Sequence, residues 1–113
     1  MLRICSLDEL TEDEGIRIDD VSPPIAVFLT SDGEVRALDD TCTHQDASLA
    51  EGWVEGGRVE CPLHASTFSL RTGEVDAPPA TRGVRAHQVE VIDGDVFVEL
   101  STAEPNLPPG VRY

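Results

Sequence analysis

The chain has 113 residues, with 22 acidic and 8 basic side chains and a formal net charge of −14 at pH 7. This length suits a single domain over residues 1–113, and the negative charge excludes a nucleic-acid surface because DNA and RNA would repel it. No apolar run of about 18 residues is present that could cross a membrane, and the opening MLRICSLDEL lacks the apolar core of a secretory signal. The three cysteines are too few for a disulfide scaffold, so we expect a cytoplasmic monomer without nucleic-acid or membrane partners.

The first predicted elements are a short strand at LRICS (2–6) and the only predicted helix, at SLDELTEDEG (6–15). Ser6 can cap the first helical turn, and Glu9 stands where a capping box needs a carboxylate. Gly15 can end the helix because glycine readily takes the left-handed conformation of a helix terminus.

The rest of the chain predicts short strands separated by turns. Asp32-Gly33 and Asp93-Gly94 each stand between two apolar segments, which is a strong hairpin signal. This pattern predicts an all-β fold, an antiparallel sandwich or small barrel, followed by a proline-rich extended tail at 101–113. The predicted strands are IRI (16–18), PIAVFLT (24–30), VRALD (35–39), WVEGGRVE (53–60), TFSLRTGEV (67–75), VRAHQVEVI (84–92) and VFVEL (96–100).

Two short motifs, CTH and CPLH, pair Cys42 with His44 and Cys61 with His64. The members of each pair are so close in sequence that each pair belongs to one loop, and two such loops can close around a metal. A structural zinc site also uses two Cys and two His, but its usual spacing groups the cysteines together and the histidines together. One thiol and one imidazole in each loop is the spacing of a Rieske [2Fe–2S] centre.

Residues 42–80 resemble Rieske ferredoxins, in particular the ferredoxin components of bacterial aromatic-ring dioxygenases. The matching segments are CTH, SLAEG, ECPLH, F-x-L-RTGE and APPA. The resemblance implies a Rieske-like β fold with a cluster-binding subdomain, at about residues 40–80, formed by two loops. Membrane-bound relatives brace these loops with a disulfide, whereas Ala47 and Leu63 occupy the corresponding places here.

The resemblance also implies the ligands of one [2Fe–2S] cluster. Cys42 and Cys61 would ligate the inner iron, and His44 and His64 would ligate the outer iron near the tip of the protein.

Further residues receive expected roles from the same resemblance. Pro78 and Pro79 fall where the family has a third loop over the cluster, and Trp53 is expected as core support beneath the loops. Ser66 stands at the place of a serine that bonds a cluster sulfur in high-potential relatives, whereas Phe68 replaces a tyrosine and has no hydroxyl. Hydroxyl donors raise the potential, so we predict a value in the lower half of the Rieske span of about −150 to +300 mV.

The function implied is that of a soluble electron carrier rather than an enzyme. Single electrons would pass from an NAD(P)H-dependent flavoprotein reductase to a terminal oxygenase, of the ring-hydroxylating class. His87 is expected on the surface or in a structural role, and Cys5 is expected as a buried small hydrophobe. With His44 and His64 assigned to the cluster, one histidine remains, so this chain alone cannot build a catalytic two-His-one-carboxylate iron site. Three alternatives stay open: the Rieske-like small subunit of an assimilatory nitrite reductase, a zinc-binding interaction module, and a ferredoxin that serves iron–sulfur assembly or a monooxygenase.

Overall fold

Two antiparallel sheets make up the fold. A computed structural model describes residues 1–113 and contains nine strands and two 3-10 helices, Leu7–Glu9 and Leu49–Glu51. The strands are β1 (Leu2–Ser6), β2 (Gly15–Ile18), β3 (Ile25–Leu29), β4 (Val35–Asp39), β5 (Trp53–Glu55), β6 (Arg58–Glu60), β7 (Thr67–Ser69), β8 (Ala86–Ile92) and β9 (Asp95–Glu99). The larger sheet has the order β1-β9-β8-β4-β3-β2 and the smaller the order β5-β6-β7. The predicted all-β class is confirmed, and no helix is long and apolar enough to span a membrane.

Strand β3, which lies between β4 and the edge strand β2, contributes side chains to two hydrophobic clusters. Ala26 and Phe28 pack in one cluster, which also holds the cysteines of both motifs. Ile25 and Val27 pack in the other, together with Cys5, which is buried as predicted. Alternate residues of a strand point to opposite faces, so a strand covered on both sides needs the continuous apolar run seen here.

The predicted helix at 6–15 is wrong beyond its first turn. The capping box forms as expected, with the Ser6 backbone N–H donating to Glu9 Oε2 at 2.6 Å, but the helix is a single 3-10 turn at Leu7–Glu9. Leu10 follows in extended backbone and is buried in the second cluster. Carboxylates that recur four residues apart oppose a longer helix, and the burial of Leu10 favours the extended path.

Gly15 begins β2 instead of ending a helix. A Cβ at this position would lie 2.6 Å from Phe28 Cε1 and 2.8 Å from the Ala50 Cα. The absence of a side chain therefore lets β2 approach the second 3-10 helix, which directly follows the loop of the first motif.

The glycines within the other predicted strands mark turns. Gly56 and Gly57 have φ of 59° and 77° and close the two-residue turn between β5 and β6. Strand β7 ends at Ser69 rather than near residue 75, since the chain turns back at Gly73. There a Cβ would lie only 2.0 Å from the Val84 carbonyl oxygen.

Candidate metal centre

The first motif lies in the loop between β4 and the second 3-10 helix. Within this loop the Cys42 backbone N–H donates to the Ala47 carbonyl at 3.0 Å. At its base the buried Asp40 carboxylate accepts hydrogen bonds from Ser48 Oγ at 2.8 Å and from the Ala50 backbone N–H at 2.9 Å. Burial raises the pKa of Asp40, although these two bonds favour its ionised form. The loop is thus held both internally and at its base.

The second motif lies in the loop between β6 and β7, where the Cys61 backbone N–H donates to the Ser66 carbonyl at 2.8 Å. The side chains of Cys61 and Cys42 are both free thiols, and both are buried in the same hydrophobic cluster. Burial raises the pKa of the Cys42 thiol. Two adjacent thiols in an apolar pocket suit a soft metal centre, which would displace their protons.

The proline-bearing segment 78–82 contacts both motif loops. The backbone N–H of Ala80 donates to Ser66 Oγ at 2.8 Å, and the carbonyl of Arg82 accepts a hydrogen bond from Thr43 Oγ1 at 2.6 Å. The segment therefore joins the two motif loops as a third loop.

The two imidazoles lie together at the surface. The ring centroids of His44 and His64 are 4.8 Å apart, and the ring planes are nearly perpendicular at 86°. His64 Nε2 donates to the side-chain oxygen of Gln45 at 2.7 Å. With the hydrogen on Nε2, the Nδ1 atom of His64 keeps a free lone pair, the form that binds a metal.

The donor set fits a two-iron cluster better than a single ion. The two thiols are buried in the interior, whereas the two imidazoles lie together at the surface. A structural zinc ion needs four converging ligands. A Rieske cluster asks for only two on each iron, the thiols on one and the imidazoles on the other.

Trp53 is not core support, contrary to the prediction. The residue is 61% exposed, on the outer strand β5 of the small sheet. Val54, the next residue, packs against the cluster of buried residues that includes both motif cysteines. Since neighbours in a strand point to opposite faces, the burial of Val54 turns Trp53 towards solvent.

A buried polar network just before the first motif was missed by the sequence reasoning. Asp39 accepts hydrogen bonds from Arg85 Nε at 2.8 Å and from His87 Nε2 at 2.9 Å. His87 is therefore a buried structural residue, one of the two roles expected for it. The available signal was Asp39 itself, because in the alternating VRALD it shares its side of β4 with the buried Val35 and Ala37.

Comparison with known proteins identifies the family. The family model of the Rieske [2Fe-2S] domain matches residues 1–92. The chain belongs to the Rieske family. Its cofactor is accordingly one Rieske-type [2Fe–2S] cluster. The two Cys/His motifs are therefore explained by an iron–sulfur cluster rather than by a zinc-binding module.

The relatives of this chain include Rieske ferredoxins. The 3-phenylpropionate/cinnamic acid dioxygenase ferredoxin subunit of Escherichia coli K12 is 43% identical over 102 residues, which cover 89% of this chain and 94% of the relative. The solved Sphingomonas yanoikuyae B1 ferredoxin is 32% identical with a TM-score of 0.81, over 88% of this chain and 98% of that one. The chain is thus an electron-transfer ferredoxin rather than a catalyst, as predicted.

Two further structures bear on the choice of system. A ferredoxin solved in complex with the oxygenase of carbazole 1,9a-dioxygenase is 35% identical with a TM-score of 0.79, over 87% of this chain and all 100% of that one. A nitrite reductase small subunit from Mycobacterium tuberculosis covers 88% of this chain and 95% of its own, with a TM-score of 0.77 at 24% identity. The second likeness shows the fold alone, so dioxygenase ferredoxins are the better-supported group.

Proposed function

We propose that this Rieske ferredoxin carries single electrons from an NAD(P)H-dependent flavoprotein reductase to the terminal oxygenase of a ring-hydroxylating dioxygenase system. It does so as a monomer in the cytoplasm. The relatives named as dioxygenase ferredoxins, one of them solved with its oxygenase, support this choice of system. Three free cysteines suit a reducing compartment.

In this proposal Cys42 and Cys61 hold the inner iron, and His44 and His64 hold the outer iron. One observation carries the assignment: two buried thiols lie in the same hydrophobic cluster, and two imidazoles 4.8 Å apart lie at the surface. This arrangement provides separate thiolate and imidazole pairs, as a Rieske cluster requires.

The residues around the site have separate roles in holding the cluster and in exposing it to a partner. When bound, the cluster accepts and releases one electron. The buried thiols of Cys42 and Cys61 keep water from one side of the site, whereas His44 and the exposed Leu63 form a tip that a partner can approach closely. Gln45 holds the Nε2 hydrogen of His64 and so orients the ring. The net charge of −14 would steer the tip towards a basic partner and make association slower at high salt.

The ligand assignment is tested by spectra of substituted proteins. Wild type, Cys42→Ala, Cys61→Ala and His64→Ala are compared for iron content, visible absorption and EPR after dithionite reduction. Cys5→Ala is the matched control, because Cys5 is an equally buried thiol in the other hydrophobic cluster. We expect a Rieske-type EPR signal in wild type and Cys5→Ala, and its loss in the other three. A normal signal in Cys42→Ala or Cys61→Ala would contradict the assignment.

The proposed electron path is tested separately with purified partners. NADH, the reductase and the oxygenase of a homologous dioxygenase are mixed with the ferredoxin, and oxygenase reduction is followed in a stopped-flow spectrophotometer. We expect reduction to require the ferredoxin and to slow as salt rises. Reduction at the same rate without the ferredoxin would reject its role as the carrier.

A further inference from the structure

The segment after β9, residues 101–113, contains no helix or strand, yet hydrogen bonds attach it to the rest of the protein along its length. It lies beyond residues 1–92, the part of the chain that matches the family model. The family match therefore assigns no role to this segment.

The start of the segment is attached to the buried polar network. Arg85 Nη1 donates to the carbonyls of Ser101 at 3.1 Å and Ala103 at 3.0 Å. The Ser101 backbone N–H donates to His87 Nδ1 at 2.9 Å. Both Arg85 and His87 also donate to Asp39, so the start of the segment is fixed to the end of β4.

The middle of the segment is attached to the third loop of the cluster-binding region. Asn106 Nδ2 donates to the Gly83 carbonyl at 2.9 Å, and Arg82 Nη2 donates to the Leu107 carbonyl at 3.1 Å. Pro108 is buried. These bonds run in both directions between the segment and residues 82–83, which makes the attachment a two-point contact.

The end of the segment reaches the first motif loop. The Tyr113 hydroxyl and Thr41 Oγ1 are hydrogen-bonded at 2.9 Å, and Thr41 directly precedes Cys42. Thr43, which directly follows Cys42, donates to the carbonyl of Arg82. Both chain neighbours of Cys42 are therefore bonded either to the segment or to a residue that the segment holds.

We propose that residues 101–113 form a strap that positions the Cys42 loop, with Tyr113 and Arg82 as positioning residues. The inference rests on the proposed role of Cys42 as a ligand. The strap links the loop to the third loop and to β4, so it opposes outward movement of Cys42 away from Cys61. Losing it lets the loop open more often, admits water to the site, and so speeds release of the cluster and raises its potential.

The matched test removes single hydroxyl groups. Tyr113→Phe and Thr41→Val each break the same hydrogen bond without removing the rest of the side chain, and their combination completes a double-mutant cycle. Thr102→Val is the control, an exposed strap residue whose hydroxyl makes no hydrogen bond. Three quantities are measured: amide exchange of a peptide spanning residues 40–49, the rate of loss of visible absorbance on warming, and the reduction potential.

We expect either single substitution to speed amide exchange and cluster loss by about fivefold, because the net free energy of one hydrogen bond changes an opening equilibrium by about that factor. The double variant should be no faster than the singles, and Thr102→Val should equal wild type. Rates and potential at the wild-type level in Tyr113→Phe and Thr41→Val would overturn the proposal, and so would faster exchange with unchanged cluster loss and potential.

A deletion of residues 106–113 provides a larger perturbation and should exceed both point variants in all three measurements. If it does not fold, the point variants still decide the question. Failure of the ligand assignment is recognised independently, because a cluster retained in Cys42→Ala would reject that assignment. Amide exchange at the loop reports the strap whichever residues bind iron.

Discussion

Asp39 and Arg85 form a two-pronged ion pair inside the protein, with Nε–Oδ2 and Nη2–Oδ1 distances of 2.8 and 3.2 Å. The two side chains are only 3% and 12% exposed, and His87 adds a third hydrogen bond to Asp39. Burial alone would raise the pKa of Asp39, but the hydrogen bonds from His87 and Arg85 and the positive charge of Arg85 hold it below its ordinary range. Asp39 is therefore ionised at neutral pH, three residues before Cys42.

We expect the free energy of unfolding to fall in acid through this carboxylate. Asp39 binds a proton less readily in the folded than in the unfolded chain, so its contribution is complete above the ordinary aspartate pKa of about 3.9. It is lost as the pH falls through the lower folded-state pKa. Urea unfolding between about pH 6 and about pH 3 measures the effect.

Asp39→Asn is the reference for that experiment because it lacks the titrating group. Asp40, whose pKa is raised by burial, contributes with the opposite sign in both proteins. The difference between the two curves therefore isolates Asp39. A difference that does not change with pH would contradict the depressed pKa.

At neutral pH the same substitution should be costly. Asp39→Asn leaves the buried Arg85 guanidinium without its counter-charge, and breaking a buried pair in this way costs about 3–5 kcal/mol in unfolding free energy. The double variant Asp39→Asn/Arg85→Met removes both charges and should recover part of the loss. A single variant as stable as wild type in urea would show that the pair does not stabilise the fold.

Ser66 should tune the reduction potential. Its hydroxyl oxygen accepts from the Ala80 backbone N–H, so the hydroxyl hydrogen is free to point elsewhere in a buried site beside Cys61. We expect wild type in the lower half of the Rieske span of about −150 to +300 mV, Ser66→Ala below it, and Phe68→Tyr above it. Redox titration followed by visible absorption measures all three, with the exposed Ser31→Ala as control. A wild-type value near the top of the span would refute the prediction.

Gly52 should be intolerant of a side chain. A Cβ there would lie 2.1 Å from the Glu60 carbonyl oxygen, immediately before Cys61. Gly52→Ala must therefore push β6 away, with a loss of about 1–3 kcal/mol in unfolding free energy and reduced cluster content. Gly56→Ala is the contrasting control. It has open space but a φ of 59°, so it should cost about 1 kcal/mol and keep its cluster.

Trp53 should contribute little to stability, because its side chain is mostly in water. Trp53→Ala is expected to change the free energy of unfolding by no more than about 0.5 kcal/mol, whereas the buried Phe28→Ala should cost about 3–5 kcal/mol. As the single tryptophan, Trp53 also reports its own environment by fluorescence. We expect acrylamide to quench Trp53 fluorescence in the native protein almost as strongly as in the urea-unfolded chain. Much weaker quenching in the native protein would contradict the exposed position.

Much of this protein follows from local pattern. The pairing of Cys42 with His44 and of Cys61 with His64 is visible in the chain because metal ligation depends on residue type at short spacing. Hairpins were predictable for the same reason, since Asp-Gly turns and alternating apolar residues act over a few positions.

Other features arise only when distant segments meet. Asp39 and Arg85 are 46 residues apart in the chain, and Thr41 and Tyr113 are 72 apart, so no local pattern announces either contact. Burial is likewise a property of the packed sheets. Leu10 is buried in a hydrophobic cluster, in extended backbone rather than in the predicted helix. Trp53 on the outer strand faces solvent because its neighbour Val54 packs against the core. The type of metal centre can thus be predicted from short motifs, because the ligating atoms belong to residues that are close together in the sequence. The contacts that hold the motif loops in place were decided by the tertiary structure, because a hydrogen bond or a buried contact needs two segments that only folding brings together.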